Sequence, residues 1–183
     1  MPHGGSRAGS RRLLLADSPG CEVGLIPTAV GGTPISAWQP GGVDPSDPAN
    51  HPYDDAIVMA KEAQKRGEIV AILWHQGEGD TGGPTPDFKQ QLENTIACFR
   101  KDLDLGEQVP FIMGELASFY VLIEKSAADH IDRLMYEVAS EVPGTAIVKA
   151  KDLNHRGDSL HFDTASAHEL GRRYYAMFRQ MTR

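Results

Sequence analysis

A chain of 183 residues is long enough to bury one core and short for two, so a single domain over 1–183 is expected. Its formal net charge of -7, with Lys and Arg scattered, argues against nucleic-acid binding, and no apolar run reaches membrane-spanning length. Cys21 and Cys98 make no metal or redox spacing and read as reduced thiols within core elements.

The amino terminus is positively charged but holds only the short apolar segment Leu13–Ala16, which is not a secretory signal. On that ground a cytoplasmic location is expected, unless a segment further upstream carries a signal. Ser10–Ser18 reads as a short helix closed by Pro19-Gly20. Glu22–Ala29 reads as a strand ending at Val30-Gly31-Gly32-Thr33. Ser36–Pro52 is rich in proline and glycine, lacks an apolar period and reads as loop. Tyr53–Arg66 has helical spacing of Ala56, Ile57, Met59, Ala60 and Ala63, with Gly67 as the stop.

Ile69–His75 is an apolar run rich in branched and aromatic residues, the pattern of a strand buried on both faces. After the Thr81–Pro86 loop, Asp87–Leu103 places Phe88, Leu92, Ile96, Phe99 and Leu103 three and four apart, an amphipathic helix. Val109–Gly114 reads as a buried strand with Glu115 at its carboxyl end. Ala127–Ser140 reads as a helix and Thr145–Lys149 as a strand. Asp163–Met181 is the closing helix, capped by Asp163 or Thr164. Strands alternating with helices imply a parallel sheet covered on both faces, a three-layer α/β/α sandwich.

Three polar clusters lie at or just past strand ends, where open α/β sheets bind ligands. In Gly31-Gly32-Thr33 the paired glycines let backbone amides approach an anion. In His75–Asp80, Gln76 offers an amide donor suited to an oxyanion, and Glu78 can orient a neighbouring histidine. In Gly157–His161, Asp158 stands three residues before His161 and can hold its imidazole in one tautomer. His75, Glu78, Asp158 and His161 are also zinc-competent types. No H-E-x-x-H helix or cysteine pair accompanies them, so no metal is expected. Val30–Thr33 lacks the lysine of a phosphate-binding P-loop.

The segments GLIPTAVGGTPISAW (24–38), ILWHQGEGD (72–80) and GDSLHFDTASAHELGRRY (157–174) occur here in the order of a known family. With them the chain resembles the SGNH hydrolases, specifically the sialate O-acetylesterase and acetylxylan esterase group, carbohydrate esterase family six. The resemblance implies a flavodoxin-like parallel sheet and a serine esterase that removes acetyl groups from sugar hydroxyls, on sialic acid, xylan or a similar sugar. It implies no cofactor, an acetylated carbohydrate as partner, and neither nucleic acid nor membrane; it is silent on oligomeric state. His161 matches the general base and Asp158 the acid that orients it, with Glu78 the second choice for that role. Gln76 and the amide of Gly31 or Gly32 match the oxyanion hole. Thr33, Trp38 and His75 are expected at the sugar, and Trp74 either supports that pocket or belongs to the core.

One feature departs from the family. Its nucleophile lies in a Gly-Gln-Ser-Asn-like turn after the first, central strand, and no such string occurs here. The chain is therefore expected to begin after that strand. Ser6, Ser10 and Ser159 do not occupy a strand-to-helix turn of that kind. The alternative to an active esterase is a catalytically inactive truncated homologue or sugar-binding remnant.

Overall fold

Three short parallel strands are held between helices in the computed structural model, which describes residues 20, 22–83, 87–121 and 123–183. They are β1 (Ile72–Trp74), β2 (Phe111–Gly114) and β3 (Thr145–Val148), in that spatial order. The helices are α1 (Pro52–Gln64), α2 (Phe88–Asp102), α3 (Ser118–Val121), α4 (Lys125–Glu141) and α5 (Thr164–Met181), with 3-10 turns at Ile35–Trp38 and Glu78–Asp80.

Register decides which residue meets which helix. Ile72 pairs with Phe111 and Phe111 with Thr145; Trp74 pairs with Met113 and Met113 with Ile147. Because side chains alternate along a strand, these rows face one side. There Trp74, Phe111 and Met113 join Tyr53 and Ala56 of α1, Leu92 and Ile96 of α2, and Ile131 and Met135 of α4 in one core. The intervening row, Leu73, Ile112 and Ala146, faces the other side, as does Val148. Leu73, Ile112 and Val148 pack with Leu170, Tyr174 and Met177 of α5. The layers follow from this parity.

Each helix forms for a local reason. Pro52 at the first turn of α1 lacks only an amide hydrogen that would be unsatisfied there anyway. The Asp163 carboxylate accepts from the Ser166 amide at 2.7 Å and caps α5, as the sequence suggests. The α2 stripe Phe88, Leu92, Ile96 and Phe99 is buried.

The structure corrects three expectations. Glu22–Ala29 is not a strand: among the described residues nothing forms a ladder with it, and Pro27 has no amide hydrogen to offer one. Ile26 and Val30 instead rest against the core. Residues 36–52 are not wholly irregular, since Ile35–Trp38 makes a buried 3-10 turn. The run from Ile69 contributes only Ile72–Trp74, because the ladder starts where the Ile72 amide donates to Pro110 O at 2.8 Å. Cys98 is a free thiol on α2, half-buried and not deep in the core. Cys21 and the helix expected at Ser10–Ser18 lie outside the described residues.

Asp132 of α4 carries a charge problem into this core. One carboxylate oxygen accepts from the Leu116 amide at 2.9 Å, just beyond β2. Burial pushes the carboxyl up to about 7; the Leu116 bond opposes this, and the charges of Glu115, Asp129 and Glu78 add to it. Between the ordinary value of 3.8 and about 7, the unfolded chain has lost this proton while the folded chain keeps it. Raising pH through that window therefore favours unfolding.

Two outcomes are expected. Met135→Ala, which truncates a fully buried side chain, lowers the unfolding free energy by about 2–5 kcal/mol in urea titration; an unchanged midpoint contradicts the packing. Asp132→Asn gains stability relative to the parent chain as pH rises from about 4 to about 7, read as a double difference of urea unfolding energies. A difference independent of pH contradicts the burial of that charge.

Candidate active site

The end of β1 is where the polar residues begin. Trp74 is buried, packed edge-on against Trp38 at 5.2 Å and tilted against Phe111 at 5.8 Å, so it belongs to the core. Beyond it the chain turns sharply at Gly77, whose φ of +150° few other residues adopt. A Cβ on Gly79 would stand 2.7 Å from Thr33 O and 3.0 Å from Gly32 O. That close approach packs the Gly31–Thr33 loop directly onto the Glu78–Asp80 turn. The first two polar clusters are thus in contact, with Gly31 and Gly32 exposed.

Gln76 sits beneath this contact and is 8% exposed. Its Nε2 donates to Thr33 O at 3.0 Å and to Asp80 Oδ2 at 2.5 Å. The same Asp80 oxygen accepts from the Ile35 amide at 2.9 Å. Burial raises the Asp80 carboxyl; the Gln76 and Ile35 bonds oppose that shift, and the Glu78 charge adds to it. Both amide hydrogens of Gln76 are committed inward, which holds its side chain in one place. Thr33 and Trp38 are buried as well, Trp38 Nε1 donating to Thr33 Oγ1 at 2.9 Å. These two side chains therefore lie under the site and brace it, whereas the sequence suggests that they touch a ligand.

His75 is held from both ends. Its Nδ1 is 3.3 Å from Tyr174 Oη, and its Nε2 is 3.7 Å from Glu78 Oε1. Tyr174 in turn donates to Trp74 O at 2.6 Å. Glu78 thus faces His75.

The third cluster is a loop closed by an isolated bridge between His155 and Phe162. Inside it, Asp158 Oδ2 lies 2.7 Å from His161 Nδ1, while Oδ1 accepts from the amides of Leu160 at 3.0 Å and His161 at 2.8 Å. Arg156 Nε donates to Oδ2 at 2.7 Å. The His161 amide, the Arg156 guanidinium and the His161 ring together hold the Asp158 carboxyl far below the usual range. A carboxylate only accepts, so the short contact assigns the proton to His161 Nδ1 and leaves the lone pair on Nε2. The guanidinium nitrogen 3.2 Å from Nδ1 is then a close neighbour, not a donor to it. Of the two acids that the sequence offers for orienting His161, Asp158 makes the bond.

Two contacts bring the loop to the end of β1. The Phe162 ring meets the His75 ring at 5.7 Å. The four-residue helix α3 then bridges both sides: Phe119 packs on His155 at 5.2 Å and on Phe162 at 5.3 Å, while Tyr120 Oη reaches Thr81 Oγ1 at 2.5 Å and Glu78 O at 3.3 Å. The second cluster therefore touches both the glycine loop and, through Phe162 and α3, the loop of the third. Asp80, Arg156, Tyr174 and α3 are the parts that sequence reasoning missed. Asp80 and Tyr174 stand inside the diagnostic strings, but α3 is too short to show a helical period. Among the described residues no group of three or more His, Cys, Asp or Glu side chains is arranged to hold a metal ion.

Known proteins share this chain's sequence and fold. The chain is 29% identical over 153 residues to a protein of Arabidopsis thaliana described as a "probable carbohydrate esterase", covering 81% of this chain and 52% of that one. The chain thus spans about half the length of the curated relative it matches. The X-ray structure of the Arabidopsis protein superposes with a TM-score of 0.78 at 25% identity, covering 96% of this chain and 66% of that one. A carbohydrate acetylesterase from Xanthomonas citri superposes at 0.77 with 19% identity, over 97% of this chain and 41% of that one. NanS does so at 0.63 with 16% identity, over 94% and 69%. These last two likenesses concern the fold. Residues 9–180 match the family described as carbohydrate esterase, sialic acid-specific acetylesterase, and the chain belongs to that family.

Proposed function

We propose that this chain is a serine-type carbohydrate O-acetylesterase, acting on an acetylated sugar such as an O-acetylated sialic acid or acetylxylan. The observation that supports it best is the 2.7 Å Asp158–His161 pair. In this reading the nucleophilic serine comes from outside the three clusters, and His161 Nε2 takes the proton from its hydroxyl as that oxygen attacks the acetyl carbonyl. Asp158 keeps the ring in the productive tautomer and balances the imidazolium as it forms. The sugar hydroxyl leaves with the proton, and water repeats the sequence on the acetyl-enzyme.

Charge develops on the carbonyl oxygen, and donors for it come from the exposed amides of Gly31 and Gly32. Gln76 braces that loop through Thr33 O, and it donates to the oxyanion itself once its bond to Asp80 yields. His75, kept in place by Glu78 and Tyr174, faces the sugar together with Phe162. No step calls for a metal or cofactor.

A second reading, a sugar-binding homologue without turnover, is favoured by one observation: the 183 residues contain no Gly-Gln-Ser-Asn string. Stoichiometric labelling of a serine by an organophosphate supports the esterase. Binding of an acetylated sugar without labelling supports the second reading.

For the esterase, an aryl acetate and acetylated xylan or sialic acid are turned over faster than in buffer. His161→Ala abolishes that rate, Asp158→Asn lowers kcat by about 10⁴, and Glu78→Gln has a far smaller effect. A rate no faster than buffer, or one that survives His161→Ala, rejects the proposal. Gln76→Ala lowers kcat by roughly 10²–10³ if its amide reaches the oxyanion; an unchanged kcat in steady-state assays removes Gln76 from that role.

A further inference from the structure

The loop that carries Asp158 and His161 is organised around a second histidine that the proposed chemistry does not use. His155 opens the loop, and its backbone bridges to Phe162 at the other end. The Arg156 amide donates to His161 O and the Asp163 amide to Asn154 O, both at 3.0 Å. These bonds close the ends of the loop but leave its crown, residues 157–160, to be shaped by something else.

The Asp158 carboxylate takes the Leu160 and His161 amides, and one ring nitrogen takes the two amides before them. His155 Nδ1 stands 3.0 Å from the amide nitrogen of Gly157 and 3.0 Å from that of Ser159. Both amides can only donate, so Nδ1 is unprotonated and the ring proton is on Nε2. The two residues so held have left-handed backbones, Gly157 at φ +109° and Ser159 at φ +59°. For glycine this is easy, but for serine it is uncommon and needs support from its surroundings. The Ser159 amide is one residue from each of the loop's key contacts, since Asp158 precedes it and Leu160 donates to Asp158 Oδ1. The ring itself is steadied by Phe119 of α3 at 5.2 Å.

We infer that His155 is a positioning residue: its Nδ1, as acceptor for the Gly157 and Ser159 amides, folds the loop into the shape in which Asp158 bonds the His161 ring. The inference rests on the reading of Asp158–His161 as the working pair, but its test does not require turnover. Geometry separates two substitutions. Asparagine places a carbonyl oxygen where Nδ1 stands and can accept the same amides. Glutamine carries its polar atoms one bond further out and cannot.

Nuclear magnetic resonance of the full chain with ¹⁵N-labelled histidine decides it. In the unmodified protein at neutral pH, His155 shows an unprotonated Nδ1 and a protonated Nε2; a proton on His155 Nδ1 overturns the inference directly. The downfield Nδ1–H signal of His161, bonded to Asp158, persists in His155→Asn and is lost in His155→Gln. Amide signals of Phe111–Gly114 stay unchanged in both, showing that the fold survives. Retention of the His161 signal in His155→Gln overturns the inference, as does equal loss in the two variants. If either variant fails to fold, the tautomer in the unmodified chain decides alone. A chain without esterase activity that passes these tests keeps the inference while losing the proposed reaction, and the converse result does the reverse.

Discussion

The hydroxyl of Tyr174 joins what the chain keeps furthest apart. It donates to Trp74 O at the last residue of β1 and approaches His75 Nδ1, so the closing helix is bolted to the end of the first strand. The loop of residues 154–163 leads directly into that helix, and its position follows from this one attachment. The room for it comes from Gly114 on β2: any side chain there would fall on Tyr174 Oη and His75 Nδ1. A buried hydroxyl that completes a carbonyl at a strand end satisfies two polar groups that would otherwise be stranded. The proximity of His75 and Phe162 depends on that bond and on the packing of α5 beneath the sheet.

The acidic groups around the site behave differently because their surroundings differ. Asp158 is exposed and surrounded by donors, which hold its carboxyl low. Asp80 is buried and Asp132 half-buried, and both are pushed the other way, with the charge of Glu78 acting on both. The acid proposed to carry charge in the reaction is thus the one that water and hydrogen bonds already stabilise. The other two serve as anchors: Asp80 gathers the Ile35 amide and Gln76, and Asp132 takes the Leu116 amide. Such groups fix geometry at some expense of stability.

Support for the site comes from below and from one side. Below, the Trp38–Trp74 contact and the Trp38–Thr33 hydrogen bond make a firm floor for the glycine loop. From the side, α3 touches both the Glu78 turn and the His155–Phe162 bridge through adjacent aromatic residues. Two loops gain definition when one short element is wedged between them.

Much of the fold was legible in the amino-acid string. The α2 stripe has a period that only a helix satisfies, the apolar runs of β1 and β2 are short and rich in branched and aromatic residues, and the Asp158–His161 pair could be read because three residues of separation is a local matter. The strand expected at Glu22–Ala29 failed because a strand is not a local property: it exists only if a neighbour accepts its hydrogen bonds, and the residues of one segment cannot say whether a neighbour is there. Tertiary structure alone decided the longer pairings. Gln76 finds Thr33 O 43 residues away, and Tyr174 finds Trp74 O 100 residues away. It also decided that Glu78 faces His75, and that Trp38 lies under the site instead of lining it. The physical reason is the same throughout. Short-range spacing fixes which side chains are neighbours within a turn or a loop, whereas contacts between distant segments depend on how closely their backbones pack, which here is set by glycines and buried aromatic rings.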